Sequence, residues 1–222
     1  MPIYTKVNDP AGDKWVEIGA SSGGKSWATI DPALNPDADF DDEDDPFGDG
    51  RNFTVISFKS SATLTVSGEG NADVFIVGCG GSGGRGANNN GSHSSGGGGG
   101  GGADIFDTTL DGDHPMFLDE GTHNIVIGQP VDGAAGPNTS AFGVTMLGGR
   151  PGGSRSGGAS ANWKSAGSGT NQYHAGGGGG GGYTQNGNSA NGSASGGQGV
   201  QRDFSGTLTW YCAGGSGGGS WA

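Results

Sequence analysis

Material for a conventional core is scarce in this sequence. Apolar residues make up 30% of it and aromatics 8%. That is thin for a chain of 222 residues, so something besides side-chain packing must supply cohesion. No segment carries apolar residues at helical spacing, which argues against helices. No stretch resembles a secretory leader or an apolar run long enough to cross a bilayer, so a mature protein without membrane insertion is expected. Basic residues are few, 10 Lys and Arg against 22 Asp and Glu, for a net charge of −12. A chain of that sign has no basic face for nucleic-acid phosphates. Cysteine occurs twice, as Cys79 and Cys212. Each follows an apolar segment and precedes glycines, which leaves one disulfide and two small buried thiols both open.

Glycine is what the sequence has in abundance, 54 residues beside 9 prolines. At that level an aperiodic mixture of Gly, Pro and Ser ordinarily signals disorder. Compact segments stand against that reading. Asn52 to Phe58, Ala62 to Ser67, Asp73 to Val77, Asn124 to Ile127 and Thr207 to Tyr211 are rich in β-branched and aromatic residues and bounded by Gly, Ser or Asn. Glycine-rich blocks at 78–86, 96–102, 148–158, 176–182 and 214–219 alternate with loops and short strands in a loose internal repetition.

A glycine segment in the polyproline II conformation turns once every three residues and makes no internal hydrogen bonds, so its amides must pair sideways. At about 3.1 Å per residue, the runs 96–102 and 176–182 each span about 22 Å, matched lengths for a bundle. Interrupting residues often fall on a third position, as in Gly80-Gly81-Ser82-Gly83-Gly84-Arg85, which puts those side chains on one outward edge. The expected fold is mainly β with a glycine-rich, polyglycine II-like bundle and little or no α-helix.

Along the chain, residues 1–36 read as a small β attachment module. Ile3 to Val7 and Trp15 to Ile18 flank the turn signal Asn8 to Gly12, and a third run follows from Ser26 to Ile30. Residues 37–50 read as an acidic linker, because Asp37, Asp39, Asp41, Asp42, Glu43, Asp44, Asp45 and Asp49 concentrate the charge there. The alternation of Asp37, Asp39 and Asp41 raises calcium, but the turn glycine and distal bidentate Glu of a calcium loop are missing. Residues 51–222 read as a β plus glycine-rich domain.

Several motifs imitate catalytic or cofactor sites and fail on context. Gly19 to Ser26 (GASSGGKS) matches a phosphate-binding loop, yet Trp27-Ala28-Thr29-Ile30-Asp31-Pro32 follows where a helix is required. Gly78 to Gly83 fits the dinucleotide fingerprint but leads into Arg85-Gly86-Ala87 and a run of Asn, with no helix behind it. Asp111, Asp113, His114, Asp119, Glu120 and His123 are metal-ligand types whose spacing reads better as a hydrated turn around Gly112 and Pro115. No Ser, His and Asp set has a catalytic signature. Neither an enzyme, a cofactor nor a metal site is expected.

The loops between glycine blocks carry the candidate binding residues. Ala87 to Ser95, Ala159 to Ala175 and Tyr183 to Ser195 combine amides, hydroxyls and aromatic faces, the usual means by which loops recognise sugars and proteins. Asn89, His93, Trp163, Tyr173, His174, Tyr183 and Asn186 are the candidates for receptor contact.

The order of segments from Val74 to Gly84 (VFIVGCGGSGG), through Gly121 to Gly128 (GTHNIVIG) and Gly136 to Phe142 (GPNTSAF), to Leu147 to Gly153 (LGGRPGG) resembles the glycine-rich domain of phage tail proteins. The likeness covers about residues 51–222. Gly136, Thr139, Ser140 and Phe142 match the pattern, while Cys79 stands where that family usually has glycine. The chain is also similar to the distal adhesins of T-even-like phages, in which glycine segments form a polyglycine II sandwich and the loops between them meet the receptor. Ile3 to Val7 and Lys14 to Ile18 resemble short starter modules of phage tail proteins. The resemblance implies a bacteriophage virion protein of the tail or tail fibre, present in the extracellular particle and oligomeric there. It implies attachment to other virion proteins through residues 1–36 and contact with a host surface receptor, a glycan or an outer-membrane protein. A purely architectural tail or capsid component is the alternative.

Overall fold

The computed structural model describes residues 2–7, 27–43, 52–85, 88–89, 93–94, 97–109, 115–154, 156–161, 164–168, 178–189, 194–204 and 207–218. Their strands are β1 (Pro2–Val7), β2 (Asp39–Glu43), β3 (Asn52–Ser57), β4 (Ala62–Val66), β5 (Gly70–Val77), β6 (Asn88–Asn89), β7 (His93–Ser94), β8 (Ile105–Asp107), β9 (Met116–Leu118), β10 (Gly121–Ile125), β11 (Thr139–Ala141), β12 (Val144–Met146), β13 (Val200–Arg202) and β14 (Thr209–Tyr211). The one helical element among the described residues is a 3-10 turn at Pro32–Leu34. The fold is mainly β, as the composition implied.

The segments richest in β-branched residues form two layers. One sheet runs β2-β3-β1-β5-β8, with β9 also on β5, and a second pairs β4 with β10; all these pairings are antiparallel. Ile56, Val74, Ile76 and Leu118 from the larger sheet meet Leu64, Val66 and Ile125 from the smaller in one core. Strand β5 is buried on both faces, as a central strand with two covers must be. Its Val74 and Ile76 enter that core while Phe75 enters a second one with Val55 and Phe204.

The N-terminal third is tied into these layers. β1 lies between β3 and β5, with Ile3 paired to both Ile56 and Val74. Residues 27–29 bridge to Asn71 and Gly68, so closely that a Cβ on Gly70 would lie 2.3 Å from the Trp27 carbonyl carbon. Buried Asn35 donates to the carbonyls of Asp31 and Thr65 and accepts from the Thr65 N–H at 2.6 Å, stapling the 3-10 turn to β4. Residues 39–43, expected within a linker, instead form edge strand β2 on β3. The main chain is paired there, while Asp39, Asp41 and Asp42 stay in water, a charged edge of the kind that discourages further strand pairing. Lys59 reaches Asp39 at 2.7 Å, and that hydrogen bond raises the ammonium pKa. Trp15 to Ile18 lie outside the described residues.

Beyond β5 the chain builds a lattice of glycine segments. Segment 97–102 donates from Gly98 and Gly101 to segment 148–153, and from Gly99 and Gly102 to segment 178–182. It accepts at Gly98 and Gly101 from 78–85, at Gly99 and Gly102 from 156–161, and at Gly97 and Gly100 from 212–218. Each neighbour is therefore addressed by every third residue, the repeat of a polyproline II-type helix. Segments 164–168, 185–189 and 194–199 surround 178–182 in the same way. Glycine is required by contact: a Cβ on Gly98 would lie 1.9 Å from the Ser156 carbonyl oxygen, and one on Gly180 2.0 Å from that of Gly100.

The sheets and the lattice share a seam. Phe75 stacks on Phe204 at 5.2 Å and meets the edge of Tyr211 at 4.8 Å. Beside them buried Asp107 accepts from the Thr109 N–H and hydroxyl through Oδ1, and its Oδ2 stands 3.3 Å from Arg202 Nε. The last two atoms are in charge contact but misaligned for a hydrogen bond. Both cysteines are free. Burial pushes the Cys212 thiol up to about 12 and raises that of Cys79 less far.

Three outcomes are expected. Asn35→Ala, which strands the Thr65 main-chain groups, costs about 1–3 kcal/mol in urea unfolding. Gly180→Ala costs at least as much, because the methyl meets a main-chain oxygen that lattice pairing holds in place. In native protein at pH 8 a thiol reagent titrates Cys79, slowly, and reaches Cys212 only on unfolding, since a raised thiol pKa keeps the sulfur protonated and unreactive. Equal labelling of both in the native state would contradict the burial of Cys212.

Candidate binding surface

The lattice registers sort the turns between segments onto two ends. Gly97 is bonded to Gly218, Gly98 to Gly153, Gly99 to Gly178 and Ala194 to Gly217, so these residues share one level. The chain leaves the lattice there after residues 85, 153, 168 and 189 and re-enters at 97, 156, 178 and 194. At the opposite level, Gly102 is bonded to Ala161, Gly182 to Gln185 and Tyr183 to Cys212. Ala161, Lys164 and residues 182–185 lie at that end, next to β8, β13 and β14. The two levels are about 19 Å apart for six residues of a polyproline II rise.

The candidate residues divide between these ends. Asn89 and His93 are a backbone pair in the hairpin of β6 and β7, in the connection between segments 78–85 and 97–102. Tyr173 and His174 lie outside the described residues, between 168 and 178 in the sequence. Trp163 also lies outside them, between 161 and 164 in the sequence. Tyr183 and Asn186 are at the opposite end. Tyr183 is half-buried, and its phenol pKa is raised by burial and then by the charge of Asp104. Exposed Asn186 uses its Oδ1 to accept from the Ser165 N–H at 2.9 Å, and so serves the lattice.

A concavity, missed from the sequence, lies where the chain crosses from β9 to β10. Met116, Phe117, Asp119, Thr122, His123, Asn124, Phe142 and Gly143 surround a cavity of about 520 Å³. The β11–β12 turn supplies its aromatic wall. Ala141 pairs with Val144, and Phe142 and Gly143 between them have φ of 51° and 76°, the pattern of a primed hairpin turn. Holding phenylalanine left-handed costs about 1–2 kcal/mol, offset here by contact with the His123 ring at 5.6 Å. Of the residues weighed as metal ligands, Asp119 and His123 do meet, but through the Asp119 main-chain oxygen, 2.8 Å from His123 Nε2. Asp111, Asp113 and His114 lie outside the described residues. Among the described residues no group of three or more His, Cys, Asp or Glu is placed to hold a metal ion. Two local signals touched this region, Asp119 and His123 among the metal-ligand types and the match of Gly136 to Phe142 to a family pattern, and neither showed that the two face each other.

No curated protein and no solved structure matches the chain significantly. A family model described as a glycine-rich domain matches residues 57–222, which takes in β4 and β5 and every segment of the lattice. With three quarters of its length inside that match, the chain belongs to the glycine-rich domain family.

Proposed function

We propose that this protein is a structural component of a bacteriophage virion, a tail-fibre or tail-tip adhesin that contacts a host surface receptor through the turns between its glycine segments. What supports the reading is that the described residues flanking four connections, 85 and 97, 153 and 156, 168 and 178, and 189 and 194, gather at one end of the lattice. A rigid main-chain lattice with side-chain-rich turns at one end suits recognition, because contact residues can vary without entering the scaffold. In this reading Asn89, His93, Tyr173 and His174 belong to the contact set, and the receptor is a glycan or an outer-membrane protein. Tyr183 and Asn186, at the other end, belong to the scaffold. Attachment within the particle is assigned to residues 1–36, whose described parts, 2–7 and 27–36, belong to the same two layers as the rest of the chain and form no separate module, and the protein is read as non-enzymatic.

Adsorption of purified protein to host cells tests this. Replacing residues 88–94 and 170–176 with Gly-Ser sequence of equal length should abolish binding at unchanged melting temperature, while Asn186→Ala should lower stability and leave binding intact. Full adsorption by the loop-replaced protein would sink the adhesin reading and leave a purely architectural tail or capsid component.

A further inference from the structure

The two interior glycine segments are not equivalent. Segment 178–182 has all six lateral positions filled: it accepts from 97–102, 164–168 and 194–199 and donates to 156–161, 185–189 and 212–218. Segment 97–102 has five neighbours among the described residues. Around it 78–85, 148–153, 156–161, 178–182 and 212–218 follow in order, each hydrogen-bonded to the next, alternately donating to it and accepting from it. The sixth position, between 212–218 and 78–85, therefore calls for an acceptor. The amides of that register belong to residues 97, 100 and 103. At one end of the row Gly102 lies against Cys212, where a Cβ would come 2.1 Å from the Cys212 carbonyl oxygen. The Gly97 and Gly100 N–H groups meet no acceptor among the described residues, although Gly100 is buried. A buried main-chain donor is seldom left without a partner.

The walls of this position give a second, independent sign. Along 78–85, a Cβ on Gly81 or Gly84 would lie 2.1 or 2.0 Å from a main-chain oxygen of 148–153. Cys79, Ser82 and Arg85 carry side chains on another edge, where Ser82 bonds the Ala134 carbonyl and Arg85 pairs with Asp132. Gly80 and Gly83 face the open position. They are exposed, and a Cβ there would find its nearest neighbour at 3.9 and 3.7 Å, ordinary contact. The fold itself does not require glycine at 80 and 83. A backbone lying against them would.

We propose that this position is a docking groove for an extended glycine-rich segment of a different polypeptide chain, with glycine at two of every three residues. Its carbonyls accept from Gly100 and, one turn away, from Gly97. The groove is made of main chain, so it selects for a matching repeat of about 9.3 Å between acceptors and for the absence of Cβ atoms on the inward faces. A second copy of this chain is the poorer occupant, since each copy carries a net charge of −12.

The test is amide hydrogen exchange of the full-length protein, resolved at Gly100 and Gly180, with a twelve-residue Gly-Gly-Ser repeat peptide as the probe and an Ala-Ala-Ser repeat as its control. The Gly-Gly-Ser peptide should slow exchange at Gly100 about tenfold or more and leave Gly180 unchanged. Gly80→Val/Gly83→Val, and the milder Gly80→Ala/Gly83→Ala, should keep Gly180 protected, showing an intact lattice, and lose the response at Gly100. Exchange at Gly100 that ignores the peptide, responds equally to the control, or still responds in the valine variant overturns the proposal. Protection of Gly100 that rises with protein concentration alone would also overturn it, by making the occupant a second copy.

Discussion

Lateral pairing between main chains that carry no Cβ is the interaction on which the rest of this molecule depends. Glycine loses more conformational freedom on ordering than any other residue, about 0.5–1 kcal/mol relative to alanine in regular structure. Each hydrogen bond returns only about 0.5–1.5 kcal/mol net. An isolated glycine helix therefore has no reason to persist, and a pair gains little. The gain grows with the number of neighbours, because an interior segment with partners on all sides satisfies every amide and carbonyl along its length. Segment 178–182 comes close to that condition, with neighbours on all six sides and both main-chain groups of Gly179, Gly180 and Gly181 paired, which explains how a sequence with 54 glycines can order.

The lattice does not stand alone. Segments 78–85, 148–153 and 212–218 are entered from β5, β12 and β14, while 97–102 and 194–199 lead into β8 and β13, so strand registers fix one end of each of these five glycine segments. Strand β5 is the pivot: Val74 and Ile76 anchor it in the two-layer core while Phe75 holds Phe204 and Tyr211 from the far part of the chain. The buried contact of Asp107 with Arg202 lies at the same seam, where a charge pair fixes register more than it adds stability. Stacked aromatics and a charge pair, both demanding in geometry, are thus placed where two dissimilar kinds of packing must be aligned.

Much of the fold was legible in the sequence. The β-branched segments became strands within a few residues of their expected limits. Period-three interruptions such as Ser82 and Arg85 do share one edge, but that edge packs against residues 132–136 instead of facing out, with Ser82 half-buried on the Ala134 carbonyl. The acidic stretch was misjudged in part, because local charge gave no sign that the free edge of β3 would pair with residues 39–43. The candidate site was less legible. Loop composition picked out Asn89 and Tyr183 alike, although the lattice sends their connections to opposite ends.

By itself the sequence determined the kind of packing available: too few apolar residues for a large core, and enough glycine, in blocks of similar length, for main-chain pairing. Only the tertiary structure decided which block neighbours which, which block ends share a level, and which lateral position has no neighbour among the described residues. The physical reason is that glycine has no side chain to encode a partner. One glycine block is chemically the same as another, so the identity of neighbours is set by the strands and turns at their ends.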